Sequence, residues 1–228
     1  YVINRYAHST AIAVWEIFNE ADLAPGYTDG TGPVSSWHRQ IAEYIEALDP
    51  HRRPITTSTA QPANNSSLWK LPQIALVQSH SYNEKDMAAA LPDYIRSFDQ
   101  LGKPHLFGEI GCDVNFTSDK HQDDPSALHL HNAIWAAMAA GSAGTPLTWW
   151  WDSYIDPRDL YDVYTAPARF AATIPWNSCD PAPAPVQVQA ASDDVEKNAK
   201  VNAYVHGSVH KKELGPGPTF EVDYAFDG

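Results

Sequence analysis

With 228 residues, 43% of them hydrophobic, the chain is long enough for one sizeable domain, or for one domain and part of another. Its 28 acids against 15 bases leave a formal charge of −13, a field that opposes nucleic acid or an anionic membrane as partner. No run of 18 apolar residues offers a transmembrane helix, and Cys112 and Cys179 are too few for a disulfide framework, so both are expected as free thiols.

Residues 1–10 read as the end of a helix, and AIAVWEIFN (11–19) as a buried strand that ends on Asn19 and Glu20. Residues 35–49 form an amphipathic helix with Ser35 at its start and Trp37, Ile41, Tyr44, Ile45 and Leu48 on one face. PITTSTA (54–60) is a short β-branched strand, and the next strand lies within 71–82. A helix over 86–101 stops at Gly102; the strand PHLFGEIG occupies 104–111. The pattern closes with a helix over 126–143, the strand PLTWWWDS (146–153) and a helix over 159–174, kinked at Pro167. Alternating strands and helices imply a parallel sheet, because parallel neighbours need crossover helices. The expected organisation is an α/β unit over 1–178, a Pro/Ala linker over 179–188, and the start of a β-rich, sandwich-like accessory domain over 189–228.

Four of these strands end their apolar runs on polar or aromatic side chains. They are Asn19-Glu20, His80-Ser81-Tyr82, Glu109 between two glycines, and Trp149-Trp150-Trp151-Asp152. In parallel α/β folds ligands bind beyond the carboxyl ends of strands, so the four clusters would converge on one mouth. Two carboxylates facing each other there suit glycosidic bond cleavage: one protonates the leaving oxygen, the other attacks the anomeric carbon or activates water. Glu20 and Glu109 lie 89 positions apart, which is about three βα units of roughly 30 residues.

On these residues the chain resembles clan A of the glycoside hydrolases, the (β/α)8 retaining enzymes that include family 5. The Asn19-Glu20 pair is similar to the pair ending the clan's fourth strand, Glu109 to the nucleophile of the seventh, His80-Ser81-Tyr82 to the His-x-Tyr of the sixth, and the Trp cluster to the eighth-strand Trp. The resemblance covers roughly residues 1–175. It implies the C-terminal portion, strands 4–8, of a TIM barrel: a fragment of a longer enzyme, truncated at both ends and inactive alone. It further implies Glu109 as nucleophile and Glu20 as acid/base with a raised pKa. Asn19 would hold the sugar 2-hydroxyl, Tyr82 would orient Glu109, and His80, Trp149 and Trp151 would bind substrate, the two Trp sharing one side of the strand by alternation. No cofactor and no metal is implied. The implied partner is a carbohydrate, with a secreted or periplasmic home following from that substrate class.

Read without the resemblance, Glu20 is a helix cap or an ion-pair partner, and His80 a core histidine. Glu16, earlier on the strand, is expected in an ion pair with Arg or Lys, and Trp150 against a helix. Trp37 and Trp135 are expected in the core, and Asp152 and Asp156 as helix caps. A catalytically silent carbohydrate-binding protein on the same fold is the alternative. A metal-dependent hydrolase needs a His-x-His on its first strand that this chain does not contain.

Overall fold

The computed structural model describes residues 1–28, 32–64, 66–112, 124, 126–176, 178, 187–190 and 220–223. It divides into two compact units, Tyr1–Pro181 and Ala182–Gly228.

The first unit is built on parallel strands laid side by side in chain order. β1 (Trp15–Glu16) pairs with β2 (Ile55–Thr56), and β3 (Ser58–Thr59) pairs with β4 (Val77–Tyr82), which pairs with β5 (His105–Gly111). Thr57 interrupts β2 and β3, but the Ser58 N–H still reaches Phe18 O at 3.1 Å, so the first segment stays registered against both. Beyond β5, a parallel bridge joins Ile110 to Thr148, and Trp149 N donates to Ile110 O at 3.1 Å. The expected order of parallel segments is present.

The helices follow from their ends. α1 is short (Val2–Tyr6). α2 (Pro33–Leu48) starts with Pro33 at its first position, where a missing N–H costs nothing. Its buried face is Ser35, His38, Ala42 and Ile45, so of the predicted stripe Ile45 is buried and Ile41 and Leu48 half-buried. Trp37 and Tyr44 are exposed, and Trp37 sets its ring edge-on to Phe18 at 5.8 Å. α3 (Met87–Arg96) is capped by Asp86, which accepts the Ala89 N–H. It ends five residues before the predicted stop; a 3-10 turn then carries the chain to Gly102 at φ +59°. α4 (Leu128–Ala139) takes its first N–H groups onto the Asp124 carboxylate, from Leu128 and His129. Trp135 on it is half-buried against Phe170. α5 (Thr165–Ala171) holds Pro167 in its first turn, where the helix needs no N–H, after a 3-10 stretch over Leu160–Tyr164.

The apolar layer lies between strands and helices. Phe107 and Ile110 pack with Leu91, Leu130, Ile134 and Trp150 on one side. Ile55, Ile74 and Val77 pack with Ile45, Trp69 and Phe98 in a second cluster. One charged pair is buried at the amino ends of the strands. Asp49 accepts from Trp15 Nε1 (2.8 Å), His51 N (3.0 Å), Arg53 N (3.2 Å) and Arg53 Nη1 (2.8 Å). Arg53 also donates to Ile12 O at 2.8 Å and Ser9 O at 2.6 Å, tying the segment before β1 to the end of α2. Burial alone would push the Asp49 carboxyl up, but these hydrogen bonds outweigh it and hold the group well below the usual carboxylate range.

The strand predicted over 146–153 is corrected. The chain leaves the sheet at Trp149, and Trp151–Ile155 winds into a π-helical turn. In the second unit, β6 (Gln187–Ala190) and β7 (Phe220–Asp223) pair antiparallel. Gln187 and Val188, the last residues of the predicted linker, lie in β6; the rest of that linker, Cys179 included, and most of the predicted β-rich segment over 189–228 fall outside the described residues.

Candidate active site

The site begins with a backbone conformation. Glu20 sits at φ +53°, ψ +55°, in the left-handed region that a residue with a Cβ rarely adopts, immediately before a 3-10 turn over Ala21–Leu23. Its N–H donates to Ser58 Oγ at 2.9 Å, and the same hydroxyl lies 3.3 Å from Asn19 Oδ1. Two residues on, Asp22 accepts from Ala60 N at 2.7 Å and Asn64 Nδ2 at 3.1 Å, so the turn after Glu20 is fastened to the loop after β3.

The second acid depends on an offset. Along β4 and β5, Ser79 pairs with Phe107 but His80 pairs with Glu109, leaving Gly108 as the extra residue of a bulge. In a regular strand Glu109 would share the side of Phe107, which is buried among helices. The bulge turns it to the side of His80 and Tyr82. A Cβ at 108 would lie 2.6 Å from Gln78 Cδ, so any other residue here must displace the buried Gln78 side chain. Gly111 is equally constrained, since a Cβ there would lie 2.7 Å from Trp150 Nε1 and 3.0 Å from Tyr82 Cδ1.

Four predicted site residues therefore meet. Tyr82 donates its hydroxyl to Glu109 Oε2 at 2.6 Å. His80, buried, presents Nδ1 to Glu20 Oε1 at 2.9 Å and to Glu109 Oε2 at 3.2 Å. The Nδ1 hydrogen bond goes to Glu20, and Glu109 Oε2 lies beside it. Glu20 and Glu109 remain partly open to solvent. Ligand atoms of Glu20, His80 and Glu109 all lie within 4.8 Å of one another, the one such cluster among the described residues. These three groups could also hold a small cation.

Burial pushes the Glu109 carboxyl above its ordinary range. The Tyr82 hydrogen bond and the His80 ring pull it down, and the negative charges of Glu20 and Glu16 push it up. Tyr82 is driven upward by burial and by Glu109, so its hydroxyl stays a donor.

Other predictions need correcting. Glu16 has no ion pair among the described residues; it is exposed, and acts through its charge on Glu109. Trp149 and Trp151 are both exposed, but the π-helical turn removes the alternation that was to align them. It is Trp150, buried, whose indole lies against Gly111 beside Tyr82, while also packing on the helix side as predicted. Asp156 accepts from the Tyr161 hydroxyl at 2.8 Å. Ser58 and Gly108 were missed by the sequence reading. The bulge did leave a signal: the helix-facing residues Phe107 and Ile110 are three positions apart, not two.

No family model matches the chain. Among curated proteins, it is 25% identical over 189 residues to a probable mannan endo-1,4-beta-mannosidase F of Aspergillus flavus, and equally to that of Aspergillus oryzae. The chain is related in sequence to the glycoside hydrolases. The match covers 72% of this chain, and the chain spans 38% of the length of those glycoside hydrolases. Among solved structures, a GH39 beta-xylosidase from Caulobacter crescentus aligns over 65% of this chain and 37% of its own, at 16% identity and a TM-score of 0.48. An endo-beta-1,4-mannanase from Thermotoga petrophila aligns over 63% and 36%, at 17% identity and a TM-score of 0.45.

Proposed function

We propose that this chain carries the catalytic pair of a retaining glycoside hydrolase, and that its parallel segments are strands 4–8 of a (β/α)8 barrel belonging to a longer enzyme. The observation that carries the reading is the separation of the two acids. Carboxyl groups about 5 Å apart suit double displacement, whereas inverting enzymes need about 6.5–9.5 Å to admit water between them; the ligand atoms of Glu20 and Glu109 are within 4.8 Å. Glu109 attacks the anomeric carbon while Glu20 protonates the departing oxygen. Glu20 then takes a proton from the water that releases the glycosyl group from Glu109.

The surrounding groups have matching tasks. The Tyr82 hydroxyl favours the ionised Glu109 that attack requires, and opposes the burial that disfavours it. His80 hydrogen-bonds Glu20 and sets its ring 3.2 Å from Glu109, which keeps the two acids aimed at a common point. Asn19 holds the sugar 2-hydroxyl, and the exposed rings of Trp149 and Trp151 offer faces for sugar stacking. The substrate is a β-linked oligo- or polysaccharide. β-1,4-Mannan is the first to test, because the curated relatives are named for it, and a secreted or periplasmic location goes with such a substrate. The accessory domain over 189–228 belongs to the same proposal.

The test is covalent trapping. The intact enzyme is treated with a 2-deoxy-2-fluoro glycoside bearing a good leaving group, then digested and mapped by mass. A label on Glu109 is the expected result. Sugar binding with no label at all would leave a silent binding protein, and activity lost to a chelator would point to metal-dependent hydrolysis.

A further inference from the structure

An amide can recognise a hydroxyl only if its two ends are told apart, and a single buried side chain does this for Asn19. Ser58 has no exposed surface. Its Oγ already accepts the Glu20 N–H, and a hydroxyl has one hydrogen to give. The oxygen of Asn19 lies 3.3 Å away and takes it. The Asn19 NH2 is thereby turned away from Ser58, on a side chain that is itself exposed. The hydroxyl also braces the left-handed backbone of Glu20, a conformation that persists only when its surroundings hold it. Ser58 is held in turn, because its N–H bonds to Phe18 O. Thr57 beside it donates to the same carbonyl at 2.8 Å and meets buried His38 Nε2 at 2.9 Å. The support runs from α2 to the strand end without a gap.

We infer that Ser58 is a positioning residue for hydrolysis: it directs the Asn19 amide N–H at the 2-hydroxyl of the sugar being cleaved, and fixes the approach of Glu20. This rests on the glycosidase reading above. No distance in sequence suggests it, since Ser58 lies 39 positions from Asn19.

The experiment compares matched aryl glycosides with and without the 2-hydroxyl, using the intact enzyme and its Ser58→Ala variant. If Ser58 acts through Asn19, the variant loses kcat/KM on the 2-hydroxy substrate by roughly tenfold more than on the 2-deoxy one, a difference set by one hydrogen bond. In an Asn19→Ala background that excess disappears. A purely structural role lowers both substrates equally, and equal losses overturn the inference while leaving the catalytic pair intact. If Ser58→Ala does not fold, Ser58→Cys keeps the volume with a weaker donor and is read the same way. A wild-type enzyme that cleaves no glycoside sinks the parent reading and this one together.

Discussion

Asp49→Asn is the sharpest probe of what holds the first unit together. The four contacts on Asp49 are all donors, divided two to each oxygen: His51 N and Arg53 Nη1 on Oδ1, Trp15 Nε1 and Arg53 N on Oδ2. An asparagine amide must turn its NH2 toward one of these pairs, so two donors lose their acceptor whichever way it lies. The guanidinium of Arg53, nearly buried, also loses its counter-charge. Breaking one side of a buried ion pair costs about 3–5 kcal/mol. For a unit of this size that corresponds to a fall in Tm of about 6–20 °C. Thermal unfolding followed by circular dichroism at neutral pH measures it. The carboxyl is held low in the folded state, so its contribution is present above the ordinary carboxylate range of about 3.9 and fades as pH falls toward and through the lower folded value. The gap between wild type and variant should narrow on acidification. A loss under about 1 kcal/mol, or a gap that ignores pH, would refute the reasoning.

Tyr82→Phe removes a donor that favours ionised Glu109, so the acid limb of the kcat/KM profile should move to higher pH; an unmoved limb contradicts the assignment. Glu16→Gln removes a negative charge that pushes Glu109 up, and should move the same limb the opposite way. Both profiles shifting together would show that the electrostatics are misread. Glu20→Ala should cost about 10²–10⁴ in rate on substrates with poor leaving groups; on substrates with good ones, where release of the glycosyl group limits, added azide should restore turnover by attacking the glycosyl group on Glu109. Failure of any external nucleophile to rescue counts against Glu20 as acid/base. Gly108→Val forces a Cβ into Gln78 and should abolish turnover, with lowered stability on thermal unfolding; full activity would show that the bulge is dispensable.

Much of this arrangement was legible in the sequence. The parallel order followed from alternation alone, and Glu20, His80, Tyr82 and Glu109 announced themselves as polar groups at the ends of apolar runs. What was illegible depended on geometry without periodicity. The buried face of α2 is set by where the sheet lies, so Ala42 and His38 displace the larger Trp37 and Tyr44 from it. The triple Trp reads as a strand because aromatics favour strands, but after Trp149 the backbone turns into a π-helical segment that seats Trp150 against Gly111. Ser58 looks like any polar residue in a β-branched run, and its task exists only because Asn19 is folded back beside it.

The offset at Gly108 separates two inheritances of one strand. His105, Phe107 and Ile110 answer to the helices, while Glu109 answers to the opposite surface, and the single inserted position is what puts Glu109 there despite its two-residue spacing from Phe107. A homologue shorter by one residue here would run as a regular strand, its apolar residues two apart and its acid still turned away from the helices. For anyone grafting or aligning this segment, the spacing between Phe107 and Ile110 has to be matched to the bulge: two residues between them with it, one without.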